Sequence, residues 1–286
     1  MSYSRRKFLQ TTGLITAAGL LNKNKLFAAN NKLKNYGIQL WTVKQALAKD
    51  AKGVLKQLAS FGYTQIESFE GAQGMFWGMS PTEFKKHVEG LGMTVLSSHF
   101  NDIYKDSFTQ KAADATTAGL KYLILPSEAG SKTVDDYKKL ADRFNACGEI
   151  CKKHGLKVGY HNHAGVFKPI DNQVPLDILL NNTDKNNVVF EMDIYWVVTA
   201  GANPVAYLEK YKNRFKLGHV KDRIKNTNEE DASCILGEGS IDFPKLLPVA
   251  KQNGMEYFIV EQERYDNTTE MNSAEADAKY MSMLSI

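Results

Sequence analysis

Three cysteines are too few for a disulfide framework in a chain of 286 residues. Cys147 and Cys151 stand four apart in a helical pattern and Cys234 is remote, so no zinc-binding spacing exists either. They read as structural or free thiols. Charge of one sign is equally scarce, because 36 Lys and Arg against 32 Asp and Glu leave a net charge of +4. Part of that excess sits in the first residues, which excludes a basic face for a polyanion. Long apolar runs are missing too. The stretch from about Gly13 to Leu21 falls well short of the roughly 20 residues that span a bilayer. No cysteine follows it, which argues against a lipoprotein. No G-x-G-x-x-G turn follows the first apolar segment, so a dinucleotide-binding open sheet is disfavoured.

What the chain does have begins with a leader. Ser4-Arg5-Arg6-Lys7-Phe8-Leu9 precedes the short apolar stretch, and Phe27-Ala28-Ala29 follows it. A basic start, an apolar middle and small residues make an export signal. The paired arginines with Phe and Leu behind them look like a twin-arginine signal, the route for proteins exported already folded. Residues 1–29 are therefore expected to be a signal peptide, residues 30–286 the mature domain, and the periplasm its location.

An apolar content of 43% is enough for one large core. Five times a helical pattern closes on a glycine and an apolar strand begins at once, at Gly62, Gly92, Gly119, Gly155 and Gly254. Glycine just past a helix end is the preferred residue of an αβ loop. The first four lie roughly 30 residues apart, one βα unit each, and the last gap fits three units. Strands are expected near residues 36–41, 63–68, 93–99, 121–126, 156–162, 187–193, 215–220 and 256–262. Eight strands alternating with helices predict an α/β fold, a single-domain (β/α)8 TIM barrel.

In such a barrel the active site forms at the C-terminal strand ends. Here those ends carry Gln39 and Trp41, Glu67, His99, Pro126 and Ser127, His161 and His163, Glu191 and Asp193, His219 and Lys221, and Glu261 and Glu263. Buried strands disfavour charged or imidazole groups unless these are paired or bound to a cation. Asp193, His219 and Glu261, with either His161 or His163, make a mixed oxygen and nitrogen set suited to Mn2+, Co2+, Zn2+ or Fe2+. Glu67, His99 and Lys221 face the same mouth as candidates for proton transfer or substrate contact. Trp41, Phe100 and Trp196 are aromatic candidates for a sugar platform or for packing. Met75, Phe76, Trp77 and Met79 follow the second strand and could cover the mouth or pack in the core.

The motifs G-Y-x-x-I-E (62–67), S-S-H-F (97–100), Y-H-N-H (160–163), M-D-I-Y-W (192–196), H-V-K-D (219–222) and I-V-E-Q-E (259–263) together resemble the sugar phosphate isomerase/epimerase superfamily of xylose isomerase-like TIM barrels. The likeness implies a divalent cation held by a strand-five carboxylate, then Asp, His and Glu from the next three strands, which map onto Asp193, His219 and Glu261. His161 stands where many epimerases of that family carry the strand-five Glu. Trp196 replaces a His found in several relatives. The Y-H-N-H form is similar to a subgroup near inosose dehydratases and exported 3-keto-sugar enzymes.

The expectation is a metal-dependent isomerase or epimerase that acts on a hydroxy-ketone sugar through an enediolate. Glu261, Glu67 and His161 are candidate bases, and Lys221 or His99 could return the proton. His163, Trp196, Glu263 and Trp41 are the expected substrate contacts. The alternatives are a dehydratase or lyase on a keto-sugar or keto-inositol, and an exported sugar-binding barrel without catalysis. The expected partner is a small carbohydrate, with no nucleic acid and no stable membrane anchor; a homo-oligomer stays open. An abasic-site endonuclease shares the fold but would need more metal ligands and a basic surface.

Overall fold

A computed structural model describes residues 32–286 apart from residues 105, 128 and 129, so the expected leader lies outside the described residues. Eight parallel strands close into a barrel, each hydrogen-bonded to the next and the eighth to the first. They are β1 (Gly37–Gln39), β2 (Gln65–Phe69), β3 (Thr94–His99), β4 (Tyr122–Leu125), β5 (Lys157–His161), β6 (Val188–Asp193), β7 (Phe215–Val220) and β8 (Tyr257–Val260). Seven lie inside their expected ranges, and β2 runs one residue past its expected end, to Phe69. The five punctuating glycines all have positive φ, from 71° to 104°. At Gly62 the amide returns to the carbonyls of Ala59 and Leu58, which ends helix Ala51–Phe61 and turns the chain into β2.

Helix starts follow local chemistry as well. Ser80 and Glu83 cap each other at the start of helix Pro81–Gly90, and Thr133 and Asp136 do the same for helix Val134–Lys153. Such caps satisfy amides that no helical carbonyl can reach. Cys147 and Cys151 are free thiols buried in the second of these helices. Met75, Phe76 and Trp77 belong to the main hydrophobic core, where the Trp77 indole bonds the Ser68 hydroxyl at 3.3 Å. That outcome favours packing over covering.

Inside the barrel, Leu96, Tyr122, Ile124, Val189, Leu217 and Ile259 form a separate apolar layer. Three of these residues stand two positions before Glu191, His219 and Glu261 on their strands. Side chains alternate faces along a strand, so the polar residues form the next layer up, at the mouth. The opposite end is closed where the Leu33 amide bonds the Leu284 carbonyl at 3.0 Å and Lys32 pairs with Ser285.

One element has no counterpart in the sequence reading. Asp222–Arg223 pairs with Ser233–Cys234 as a short antiparallel ribbon beyond β7. The Asp222 carboxylate accepts from the amides of Arg223, Gly237, Gly239 and Ile241, which folds this loop back on itself. The Asp of H-V-K-D is thus a loop organiser.

Candidate metal centre

Register sets the first level of the site. Asp193 pairs with His219 across β6 and β7, and His161 with Glu191 across β5 and β6. Register shifts fall between Ile66 and Glu67 and between Phe190 and Glu191, directly before the two deepest carboxylates. Bulges of this kind re-aim side chains beside active sites. Asn162 fixes the next level: its side-chain amide donates to the Asp193 carbonyl at 3.1 Å and its oxygen accepts from the Asp193 amide at 3.2 Å. Asn162 of Y-H-N-H and Asp193 of M-D-I-Y-W therefore bind the tips of β5 and β6 together.

Asp193 divides its work between two oxygens. Oδ1 accepts from the Trp196 amide at 3.0 Å and caps the following helix, whereas Oδ2 is buried without a hydrogen-bond partner among the described residues. Two imidazole nitrogens face Oδ2, His161 Nε2 and His219 Nδ1, each at 3.8 Å. Glu261 Oε2 lies 3.3 Å from the same His219 nitrogen. Ligand bonds of about 2.0–2.2 Å place neighbouring donors of a tetrahedral ion roughly 3.3–3.6 Å apart, so the spacing suits a shared cation. Asp193, His219 and Glu261 present donors that all lie within 4.8 Å of one another; His161 completes the set through Asp193.

The far nitrogen of each imidazole is held from behind. Glu191 Oε2 lies 3.0 Å from His161 Nδ1, and Glu67 Oε1 lies 2.8 Å from His219 Nε2. A metal-binding histidine ordinarily gives its other nitrogen to a carboxylate or carbonyl in this way. His99, His161, Glu191 and His219 also form a compact group, but the His161 and His219 nitrogens nearest Glu191 are the ones bonded to carboxylates. Glu67 is fully enclosed, bound to Gln39 at 2.8 Å, Ser97 at 2.5 Å, His219, and His99 at 3.2 Å. It touches no part of the mouth cavity.

Charge states follow from burial and neighbours. Burial raises the Glu67 carboxyl, but the charge of His99 and hydrogen bonds from His219 and His99 hold it well below the usual carboxylate range. Burial pulls His99 down, yet the charge of Glu67 and hydrogen bonding to Glu191 lift it to about 10. Burial likewise opposes the charge on His219, and Glu191 and Glu261 overcome it, raising this group well above an ordinary imidazole. His161 is held far below by burial and then by His219. Burial pushes Asp193 up to about 7 against the pull of Lys221. A cation at Oδ2 would favour its ionised form, and one at His219 Nδ1 would displace a proton.

Lys221 is the rival for these carboxylates. Its ammonium lies 3.2 Å from Glu261 Oε2, 3.9 Å from Asp193 Oδ2, and bonds Glu263. An ammonium can balance carboxylates, and among the described residues the hydrogen bonds of Lys221 go to Glu261 and Glu263 rather than to either imidazole. The two ring nitrogens turned toward one oxygen are what favour a metal ion over Lys221 alone.

The mouth above is a cavity of about 260 Å³ lined by residues that include Trp41, His99, His161, His163, Glu261 and Glu263. Trp41 is 37% exposed and donates its indole N–H to Glu263 at 3.1 Å. Trp196 does not line this cavity; it packs behind His163 at 5.3 Å between ring centres. Phe100 is fully buried in the core. Glu191 and Asn162 are the residues whose importance sequence reasoning underrated. Alternation placed Glu191 on the same face as Asp193, yet the deeper position is the supporting one.

An inosose dehydratase of Clostridium beijerinckii is 30% identical over 146 residues, 46% of this chain and 48% of that protein. The match thus spans about half the length of that curated relative. A solved sugar phosphate isomerase/epimerase from Parabacteroides distasonis superposes with a TM-score of 0.77 at 28% identity, covering 87% of this chain and 97% of its own. A structure of an IolI protein with a bound zinc atom superposes with a TM-score of 0.68 at 16% identity, covering 86% and 95%, a likeness of fold alone. A profile of the xylose isomerase-like TIM barrel family matches residues 55–283. Closed barrel, strand order and matched span lead to one conclusion: this chain belongs to the xylose isomerase-like TIM barrel family.

Proposed function

We propose that the protein is a divalent-metal enzyme acting on a hydroxy-ketone sugar, with His161, Asp193, His219 and Glu261 holding the ion. The observation that carries this reading is the pair of imidazole nitrogens aimed at Asp193 Oδ2, each backed by a buried glutamate. A divalent ion bound there polarises a carbonyl and makes the neighbouring C–H acidic.

The chain supplies the rest. Glu261 reaches the cavity and is the base for that proton, while Lys221, itself tied to Glu263, holds its carboxylate in place. His99 also lines the cavity, and its Nε2 is held 2.9 Å from Glu191 and 3.2 Å from Glu67. Two buried carboxylates keep this ring an imidazolium whose other nitrogen can give a proton to substrate. Trp41, His163 and Glu263 orient sugar hydroxyls. Glu67 and Glu191 position imidazoles rather than move protons.

A carboxylate base beside an imidazolium acid suits loss of a β-hydroxyl, with one group taking the C–H proton and the other protonating the leaving oxygen. We therefore favour a dehydratase or lyase outcome, in keeping with the inosose dehydratase relative. Isomerase or epimerase chemistry is the second reading, which the Parabacteroides likeness supports. The leader read at residues 1–29 supports an exported protein that meets unphosphorylated sugars.

The test is metal content by elemental analysis combined with proton exchange at the α-carbon of keto-sugars in D2O. Asp193→Ala and His219→Ala are expected to abolish bound metal and exchange together. Full exchange in a metal-free variant would sink the metal reading, and metal without exchange on any keto-sugar would leave a binding barrel.

A further inference from the structure

A second cavity, of about 340 Å³, lies beyond the tip of β8, between the ribbon that pairs Asp222–Arg223 with Ser233–Cys234 and the segment 262–268. Its size falls within the roughly 300–1,000 Å³ of ligand pockets. Residues leaving β8 divide between the two cavities: Glu261 and Glu263 line the mouth, Gln262 and Arg264 the outer cavity. The walling segments 222–241 and 260–269 are described without a break.

Two buried polar side chains line this cavity, Gln262 and Ser233, each 2% exposed. Gln262 gives its Nε2 to the Arg264 carbonyl at 2.6 Å, while its Oε1 is buried without a hydrogen-bond partner among the described residues. Ser233 Oγ accepts from the amides of Glu263 and Arg264 at 3.0 and 2.9 Å, so what it has left to offer is its proton. An acceptor and a donor in one wall suit a hydroxyl-bearing ligand, which can answer both, and a buried amide oxygen calls for such a partner. Ile224 and Ile235 give apolar surface for the C–H face of a ring. Charge is balanced, with Lys225 and Arg264 against Glu238 and Asp266, and Arg264 Nε already bonds Asp266 at 2.7 Å. That balance suits a neutral ligand better than an ion.

We propose that this outer cavity binds one small neutral polyol and that its occupancy is felt at Glu263, whose amide bonds Ser233 and whose carboxylate bonds Lys221 and the Trp41 indole. The site does not rest on the metal centre, since the two cavities have no lining residue in common among the described residues.

The experiment titrates the isotope-labelled protein, with zinc added, with methyl glucoside, a neutral ring that has no free carbonyl. NMR follows the amide signals of Cys234, Ile235 and Thr268 beside those of His99 and Asn101 at the mouth. In wild type the three outer signals are expected to shift saturably, and the Trp41 indole signal to follow with the same midpoint. Gln262→Leu is expected to weaken the outer binding at least about tenfold. Cys234→Tyr, which fills the cavity from a partly exposed position, is expected to abolish both the outer binding and the Trp41 response. Should either variant lose its spectral dispersion, the other decides. Shifts confined to His99 and Asn101, no saturable shift at all, or an unchanged midpoint in the folded variants overturn the site. A Trp41 signal that stays still while the outer amides saturate, or one that still moves in Cys234→Tyr, overturns the link to Glu263. Acetate or ethylammonium binding the outer amides more tightly than methyl glucoside overturns the neutral class.

Discussion

Glu191 bonds the imidazoles of His99 and His161 at 2.9 and 3.0 Å, with His219 at 3.3 Å, and it has no exposure to solvent. Removing such a partner ordinarily costs a metal site about 10–100-fold in affinity, because the imidazole loses the group that fixes its orientation. Glu191→Ala is expected to weaken the ion by that factor in competition with a chelator, and Glu191→Gln, which keeps an acceptor oxygen, to recover part of the loss. Unchanged affinity in the alanine variant would remove Glu191 from the site. Strand-end position was enough to single out Asp193, His219 and Glu261, since charged groups at the tips of apolar runs demand partners. Depth was not legible. Alternation tells which face a residue occupies but not how far down the barrel it sits, so Glu67 appeared as a base although Gln39 and Ser97 enclose it.

At the scale of elements, β5 carries the tightest requirement. A Cβ on Gly159 would stand 2.6 Å from Ile124 Cδ1, 2.9 Å from Val189 Cγ2 and 3.1 Å from the Val189 carbonyl oxygen. These neighbours belong to the strands on either side, so β5 can seat His161 beside Glu191 only while residue 159 has no side chain. Gly159→Ala is expected to cost about 1–3 kcal/mol in denaturant unfolding, as overpacked cores do, and to weaken metal binding through His161. A variant as stable as wild type would show that the strands yield. The βα rhythm was readable because each unit is closed by local chemistry, a capped helix start and a glycine exit. The Asp222–Ser233 ribbon was not, because its shape depends on one carboxylate collecting amides 15 to 19 positions away.

For the whole molecule, export already folded would carry an assembled metal centre across the membrane with the chain. Arg5→Lys together with Arg6→Lys is expected to move the protein from the periplasmic to the cytoplasmic fraction without altering the barrel's unfolding midpoint. Unchanged fractionation would assign the leader to another route. Among the described residues no helix is long and apolar enough to cross a membrane. The chain termini of the barrel meet at its closed end, where Lys32 pairs with Ser285 beside a hollow lined by Lys34, Asn213, Glu256 and Ile286. Both ends of the described chain therefore lie at the floor of the cup. Cargo fused after Ile286 would hang beneath that floor, leaving the rim open to passing solutes.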